Sequence, residues 1–274
     1  MSTQETGALI ESVNNMTAAV AGKMGEIDGA LNSKLAELTQ KANEINQSVL
    51  NSVGKTTEVR YLDPINGDDA NDGKTLASAY RTLKHCVENT RHHVLVVRVA
   101  AGAIVELNAR VHCYSDVLRI EGIDGQKYTL RQRLRDDLDS NEKEVGHDVA
   151  MIGGGDINII DCNLETAVSS NPGTHYMFWG HQAYIQKFQF SNCKITINDF
   201  PVSFQIGKIN LYSCLIESGT AREVKFLMHH NPFILTASSL KSDKDISDYF
   251  GIYDDQRNVL TNLTPQQLSQ SKHL

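Results

Sequence analysis

Four nine-residue stretches share one template: "INIIDCNLE" from 157, "FQFSNCKIT" from 188, "INLYSCLIE" from 209 and "FILTASSLK" from 233. The shared pattern is apolar, x, apolar, x, x, Cys or Ser, x, Ile or Leu, x. Alternate residues of a strand face the same way, so the first and third positions share a face. The sixth and eighth join that face only if the residues between turn a corner. Each copy therefore reads as two short strands joined by a bend. Asp161, Asn192, Ser213 and Ala237 occupy the second bend position, and three of them are small and polar, as a tight corner favours. A looser copy, "LRIEGIDG", starts at 118.

A second ladder runs through Ala150-x-Ile152-Gly153, Met177-x-Trp179-Gly180, Phe204-x-Ile206-Gly207 and Phe226-x-Met228-His229. Three strands per repeat, with template starts 31, 21 and 24 residues apart, is the arithmetic of a parallel β-helix. Equivalent residues then stack at roughly 4.8 Å. This predicts one internal column of Cys162, Cys193, Cys214 and Ser238, a second of Leu164, Ile195, Ile216 and Leu240, and an inward Trp179. The outward positions give a row of Glu165, Thr196, Glu217 and Lys241.

The five cysteines, Cys86, Cys113, Cys162, Cys193 and Cys214, are odd in number, widely spaced and never paired as CxxC. Neither a disulfide framework nor a zinc site follows from that pattern. They read as reduced, small, apolar core residues.

Upstream of the repeats, residues 9 to 50 contain no proline and no aromatic residue. Ile10, Thr17, Met24 and Leu31 fall at one heptad position and Val13, Val20 and Ile27 at the other, the spacing of a coiled-coil seam. Leu31, Leu35, Leu38, Ala42, Ile45 and Val49 continue it after a four-residue stutter. Gly22, Gly25 and Gly29 weaken a lone helix by about 1 kcal/mol each, so this helix needs partners. A single amphipathic helix packed on the globular part is the alternative. The heptads do not fix the number of strands, and Asn51 to Gly54 reads as the break that ends the helix.

A formal charge of -7 argues against wrapping nucleic acid or coating an anionic membrane. No apolar run approaches the roughly 20 residues of a membrane span, and "MSTQETGALIESV" lacks a secretory pattern, so synthesis in a cytoplasm is expected. The loop "YLDPINGDDANDGKT" at 61 to 75 fails as an EF-hand, because Ala70 and Ala79 stand where the third and twelfth ligands belong. It reads as a turn in which Gly67 and Gly73 take positive φ and Asp68, Asp69, Asn71 and Asp72 bridge their own backbone. "RQRLRDDLDSNEKEVGHD" at 131 to 148 reads as a solvated excursion and not as a basic patch of Arg131, Arg133 and Arg135.

Together, "VRYLDPINGDDANDGKTLASAYRTLKHCVENT", "VLVVRVAAGAIVELN" and "LRIEGID" resemble the entry segment of right-handed β-helix proteins of the pectate-lyase-like superfamily, particularly phage tail spikes and tail fibres. The likeness covers roughly 59 to 125 by motif and 149 to 241 by repeat pattern. It implies a strand, a Gly-Asp-Asn-Asp-Gly turn and a helix capping a column. An oligomerising N-terminal helix before a β-helix also resembles phage adhesins, which implies a homotrimer held to the virion by its N-terminal region. Here "ASAY" lacks the proline the family often places before the cap-helix aromatic, and the column is short.

The expected fold is mainly β: a short right-handed parallel β-helix preceded by an N-terminal α-helical coiled coil. Its parts are a stalk at 1–54, an entry strand and capping helix at 55–92, the body at 93–242 and a C-terminal cap and tail at 243–274. Asp248 to Tyr253 is expected to cover the open end, and Thr264-Pro265 to start a short helix. The self-association residues are Ile10, Val13, Val20, Met24, Ile27, Leu31, Leu35, Leu38 and Ile45.

No GxSxG, HExxH, P-loop or Rossmann glycine pattern is present, so no firm catalytic residue is assigned and no cofactor is expected. A glycosidase on this scaffold would use two carboxylates, and Glu165 and Glu217, two rungs or about 9.6 Å apart, are the candidates. Tyr176, Tyr184 and His181 are the candidate glycan-stacking residues. His229 and His230 point to opposite faces of a strand and so form no metal site with His175 and His181. The expected role is a structural phage virion protein that attaches to a host surface polysaccharide or links another fibre. The alternative is a polysaccharide depolymerase.

Overall fold

The structure, a computed structural model, describes residues 3–90, 92–181, 185–204, 206–227, 232–250 and 259–268. The chain divides into two units, Met1–Lys55 and Thr56–Leu274. The first is a single α-helix, Thr3–Thr56. The break expected at Asn51 to Gly54 is absent, and the helix runs through it. That segment holds no proline, and one glycine costs a helix only about 1 kcal/mol. Among the described residues, no helix is long and apolar enough to cross a membrane.

The second unit is mainly β. Its first sheet takes Thr57–Leu62, Val94–Val99, Val117–Gly122, Gly155–Ile160, Ile185–Ser191, Ile206–Tyr212, Phe233–Ser238 and Val259–Thr261, in that order. The second takes Ile104–Leu107, Tyr128–Gln132, Cys162–Glu165, Lys194–Ile197, Leu215–Ser218 and Lys241–Ser242. The third takes Val111–Cys113, Val149–Ile152 and Phe178–His181, and isolated bridges extend it to Ser203 and Leu227. Strand pairing within all three is parallel. Sheet order follows chain order, so the chain visits the three sheets in rotation. The charged excursion is a separate antiparallel pair, Leu134–Leu138 with Glu144–Gly146.

Corners between the first and second sheets fall at Asp161, Asn192, Ser213 and Ser239, with φ of 58°, 54°, 52° and 53°. Short polar residues adopt this left-handed conformation most readily among those with a Cβ. The fourth corner corrects the expected repeat. Ile209 pairs with Leu235 and Leu211 with Ala237, so Ser239, not Ala237, turns the chain. The columns change with it. Leu240, not Ser238, follows Cys162, Cys193 and Cys214, and Ser242, not Leu240, follows Leu164, Ile195 and Ile216. Lys241 pairs with Leu215 and leaves the expected outward row.

The third sheet corrects the second ladder. Val149 and Met151 belong to the core, whereas Ala150 pairs with Trp179 on the other face. Phe178 points inward, edge-on to Phe188 at 5.0 Å, so Trp179 faces outward. Ile206 belongs to the first sheet, opposite Ile185.

Both described ends of this unit carry short helices. Leu83–Glu88 buries Leu83, Cys86 and Val87, with Thr82 accepting from the His85 amide at 3.2 Å. Ile246–Phe250 buries Tyr249 and Phe250, and Phe250 meets Phe226 at 5.1 Å. A last helix, Pro265–Leu268, begins with a reciprocal cap between Thr264 and Gln267.

The acidic loop is a scaffold. Asp69 accepts from the amides of Arg81 and Thr82 and from the Thr82 hydroxyl, all within 2.9 Å. Asp63 accepts from the amides of Ile65 and Asn66, and Asp72 from the Lys74 amide and the Ser78 hydroxyl. Gly73 has positive φ, but Gly67 does not. Gly67 is glycine because a Cβ there would lie 2.4 Å from the Tyr80 carbonyl oxygen.

Candidate functional site

Three surface features carry the candidate functional residues. The first is the helix stripe. Ile10, Val13, Val20, Met24, Ile27, Leu31, Leu35, Leu38 and Ile45 are each between 52% and 66% exposed, and Leu9 and Met16 beside them are equally bare. Helical periodicity puts them on one side, while Lys23 pairs with Glu26 and Glu37 with both Lys34 and Lys41. The helix is 54 residues long, and the stripe runs along most of it.

The second is the outward row of the second sheet, which reads Glu106, Arg131, Glu165, Thr196 and Glu217. Parallel stacking brings opposite charges side by side. Arg131 donates to Glu165 at 2.6 Å, and Arg133 to Glu106. Lys194 pairs with Glu217 at 2.8 Å, while the Thr196 hydroxyl donates to the same carboxylate at 3.0 Å. Glu165 and Glu217 thus stand two rungs apart with Thr196 between them, and each is held by a basic neighbour. Arg135 is paired with Asp137, so all three arginines of the excursion face a carboxylate.

The third is a cluster on the outer side of the third sheet. Asp148, 1% exposed, accepts a bidentate contact from Arg110 at 2.9 and 2.8 Å. The Arg110 guanidinium also lies over the Trp179 ring, 5.7 Å from its centroid. His175 Nε2 is 3.4 Å from Asp148, and the His175 ring stacks on Tyr176 at 5.2 Å. Tyr176 touches Trp179 and Phe204 in turn. Burial, the largest influence, and Arg110 push His175 below the ordinary imidazole value, against the pull of Asp148. Burial likewise lowers His147, with Arg135 adding to it.

Of the glycan-stacking candidates, Tyr176 lies in this cluster, half-buried. His181 ends the strand Phe178–His181, and nothing is described of its side chain. Tyr184, His229 and His230 lie outside the described residues. Among the described residues, no group of three or more His, Cys, Asp or Glu side chains is placed to hold a metal. Arg110 and Asp148 carried no signal in the sequence. They are 38 residues apart and meet because the strands that follow them, Val111–Cys113 and Val149–Ile152, pair in parallel.

No family model matches the chain, and neither a search of curated proteins nor a search of solved structures gives a match.

Proposed function

We propose that the chain is a self-associating structural protein of a bacteriophage particle, a trimeric fibre or short spike. In this reading the second unit is a short right-handed parallel β-helix and the N-terminal helix is a coiled-coil stalk. The stalk joins three copies and attaches them to other virion proteins. The body serves in attachment to a host surface polysaccharide or as the link to another fibre.

The observation that carries the reading is the bare heptad stripe of the helix, from Ile10 to Ile45. Fully burying one Val, Leu, Ile or Met side chain stabilises by about 1.5–3 kcal/mol, and these are a little over half exposed. Each therefore offers on the order of 1 kcal/mol or more to an association, repeated along the stripe. The rotation of the chain through three parallel sheets supports the β-helix. Handedness, three-fold assembly and the particle context rest on the resemblance of the entry segment. The depolymerase alternative is not adopted, because Glu165 and Glu217 are each engaged by a cation and no free acid faces a free base in that row.

Sedimentation equilibrium tests the assembly: the expected mass is three times the 30.3 kDa of one chain. A mass of one chain at micromolar concentration would overturn it. Incubation with host capsule or lipopolysaccharide, followed by a reducing-end assay, tests the alternative; release of oligosaccharide would restore the enzyme.

A further inference from the structure

The corner between the first and second sheets brings two free cysteines of neighbouring strands together. Cys193 and Cys214 follow the corner residues Asn192 and Ser213 on consecutive turns, and the Leu215 amide donates to the Cys193 carbonyl at 2.9 Å. In-register parallel neighbours have Cα atoms roughly 4.8 Å apart. That lies inside the window of about 4.4–6.8 Å that a disulfide bridges. Both side chains are only 2% exposed, yet both line a surface pocket of about 420 Å³. Lys127, Lys194 and Lys241 line it too. Cys162, one turn earlier, is fully buried and does not line the pocket.

We propose that Cys193 and Cys214 form a dithiol site that closes to a disulfide across two consecutive turns when a small disulfide of the glutathione class enters this pocket. The Cys214 sulfur, as thiolate, attacks one sulfur of the reagent and expels the other as a thiolate, leaving a mixed disulfide. The Cys193 thiol gives its proton to solvent and attacks the Cys214 sulfur, releasing the second small thiol. Two protein thiols are oxidised, one reagent disulfide is reduced to two thiols, and the balance closes.

The assignment of roles follows the surroundings. The Cys193 thiol beside it holds Cys214 below the usual thiol value despite burial, whereas Cys193 is raised by the same contact and by its own burial. Cys214 Sγ has one carbonyl acceptor, Tyr212 at 3.3 Å, whereas Cys193 Sγ has two, Ser191 at 3.3 Å and Ile159 at 3.4 Å, which hold its proton more firmly until the second step. The bond would tie neighbouring turns directly to one another, staple-like, and would be reversed by excess thiol. The chemistry needs only one chain, so it is independent of how many copies assemble.

The full-length protein, fully reduced, is incubated with oxidised glutathione without denaturant, and its intact mass and peptide map are read. The expected result is a loss of about 2 Da per chain, a single link between Cys193 and Cys214, and reversal by dithiothreitol. Cys193→Ser should instead trap a stable glutathione adduct on Cys214. Five alkylatable thiols after unfolding, a lasting adduct on the wild-type chain, or a link that includes Cys162 would each overturn the proposal. The wild-type measurement decides the matter even if the variant fails to fold.

Discussion

Arg110→Ala is the substitution that most directly tests how the outer cluster is held. Removing one partner of a buried pair costs about 3–5 kcal/mol, because the other charge is left without compensation. Asp148 is buried, but the Arg110 side chain is 43% exposed, so solvent screens part of the contact and about 2–3 kcal/mol is expected at neutral pH. The pH dependence is the sharper readout. In the wild type His175 and His147 are held below the ordinary imidazole value, so the unfolded chain takes up protons first as pH falls below about 6.5. Their contribution is complete above that pH and is lost on acidification, by at most about 1.4 kcal/mol per pH unit for each histidine. Without Arg110, burial and Arg135 still lower His175 but one opposing charge is gone, so Asp148 raises it relative to the wild type and the imidazolium partly replaces the lost guanidinium. The gap between variant and wild type should therefore narrow as pH falls from 7 to 5.5. Trp179, the sole tryptophan, lies under the substituted guanidinium and reports urea unfolding of this region by fluorescence. A gap that stays constant or widens as pH falls would show that Asp148 and His175 do not interact as described.

Two further substitutions test other parts of the chain. Ile27→Ala with Leu31→Ala removes two bare side chains from the middle of the stripe; about 1 kcal/mol lost at each should weaken self-association by roughly 30-fold per protomer. Unchanged sedimentation across a dilution series would refute the seam. Gly67→Ala should destabilise the entry turn by about 1–3 kcal/mol, since the new Cβ meets the Tyr80 carbonyl and not a movable side chain; an unchanged urea midpoint would refute that packing.

The legible and the illegible parts of the sequence follow from the same geometry. Asp161, Asn192 and Ser213 were legible as corners because a bend flanked by alternating apolar pairs leaves few alternatives, and the structure gives all three positive φ. In the fourth repeat the template puts the corner two residues before Ser239, where the structure turns. "FILTASSLK" offers Phe233 and Leu235, or Leu235 and Ala237, as its first apolar pair, and a shift of two residues preserves every inward and outward direction. Only the corner breaks that tie, because Ser239 tolerates the left-handed conformation better than Ala237. The second ladder failed differently. Val149-Ala150-Met151-Ile152 and Met177-Phe178-Trp179 are apolar at consecutive positions, so alternation cannot say which parity faces the core, and a shift of one turned Trp179 outward. The outer cluster lay beyond sequence reading for a third reason. Arg110, Asp148 and His175 sit on three successive turns, and the charged excursion between the first two varies the repeat length, so no fixed spacing marks them.

These three cases rank the evidence a repeating parallel-strand sequence provides. Periodicity fixes which residues alternate, corners fix where each turn begins, and contacts between turns follow only when both are known. The same order explains why Cys193 and Cys214 read as core filling in the sequence. Their proximity depends on the corners at Asn192 and Ser213 falling at the same point of consecutive turns, which the structure supplies. A change that moves one corner, such as deletion of Asn192, would therefore separate the two sulfurs and misalign Ile195 from Ile216 together. Loss of the glutathione-induced link should accompany loss of the urea midpoint, whereas Cys193→Ser should remove the link and leave the corner in place.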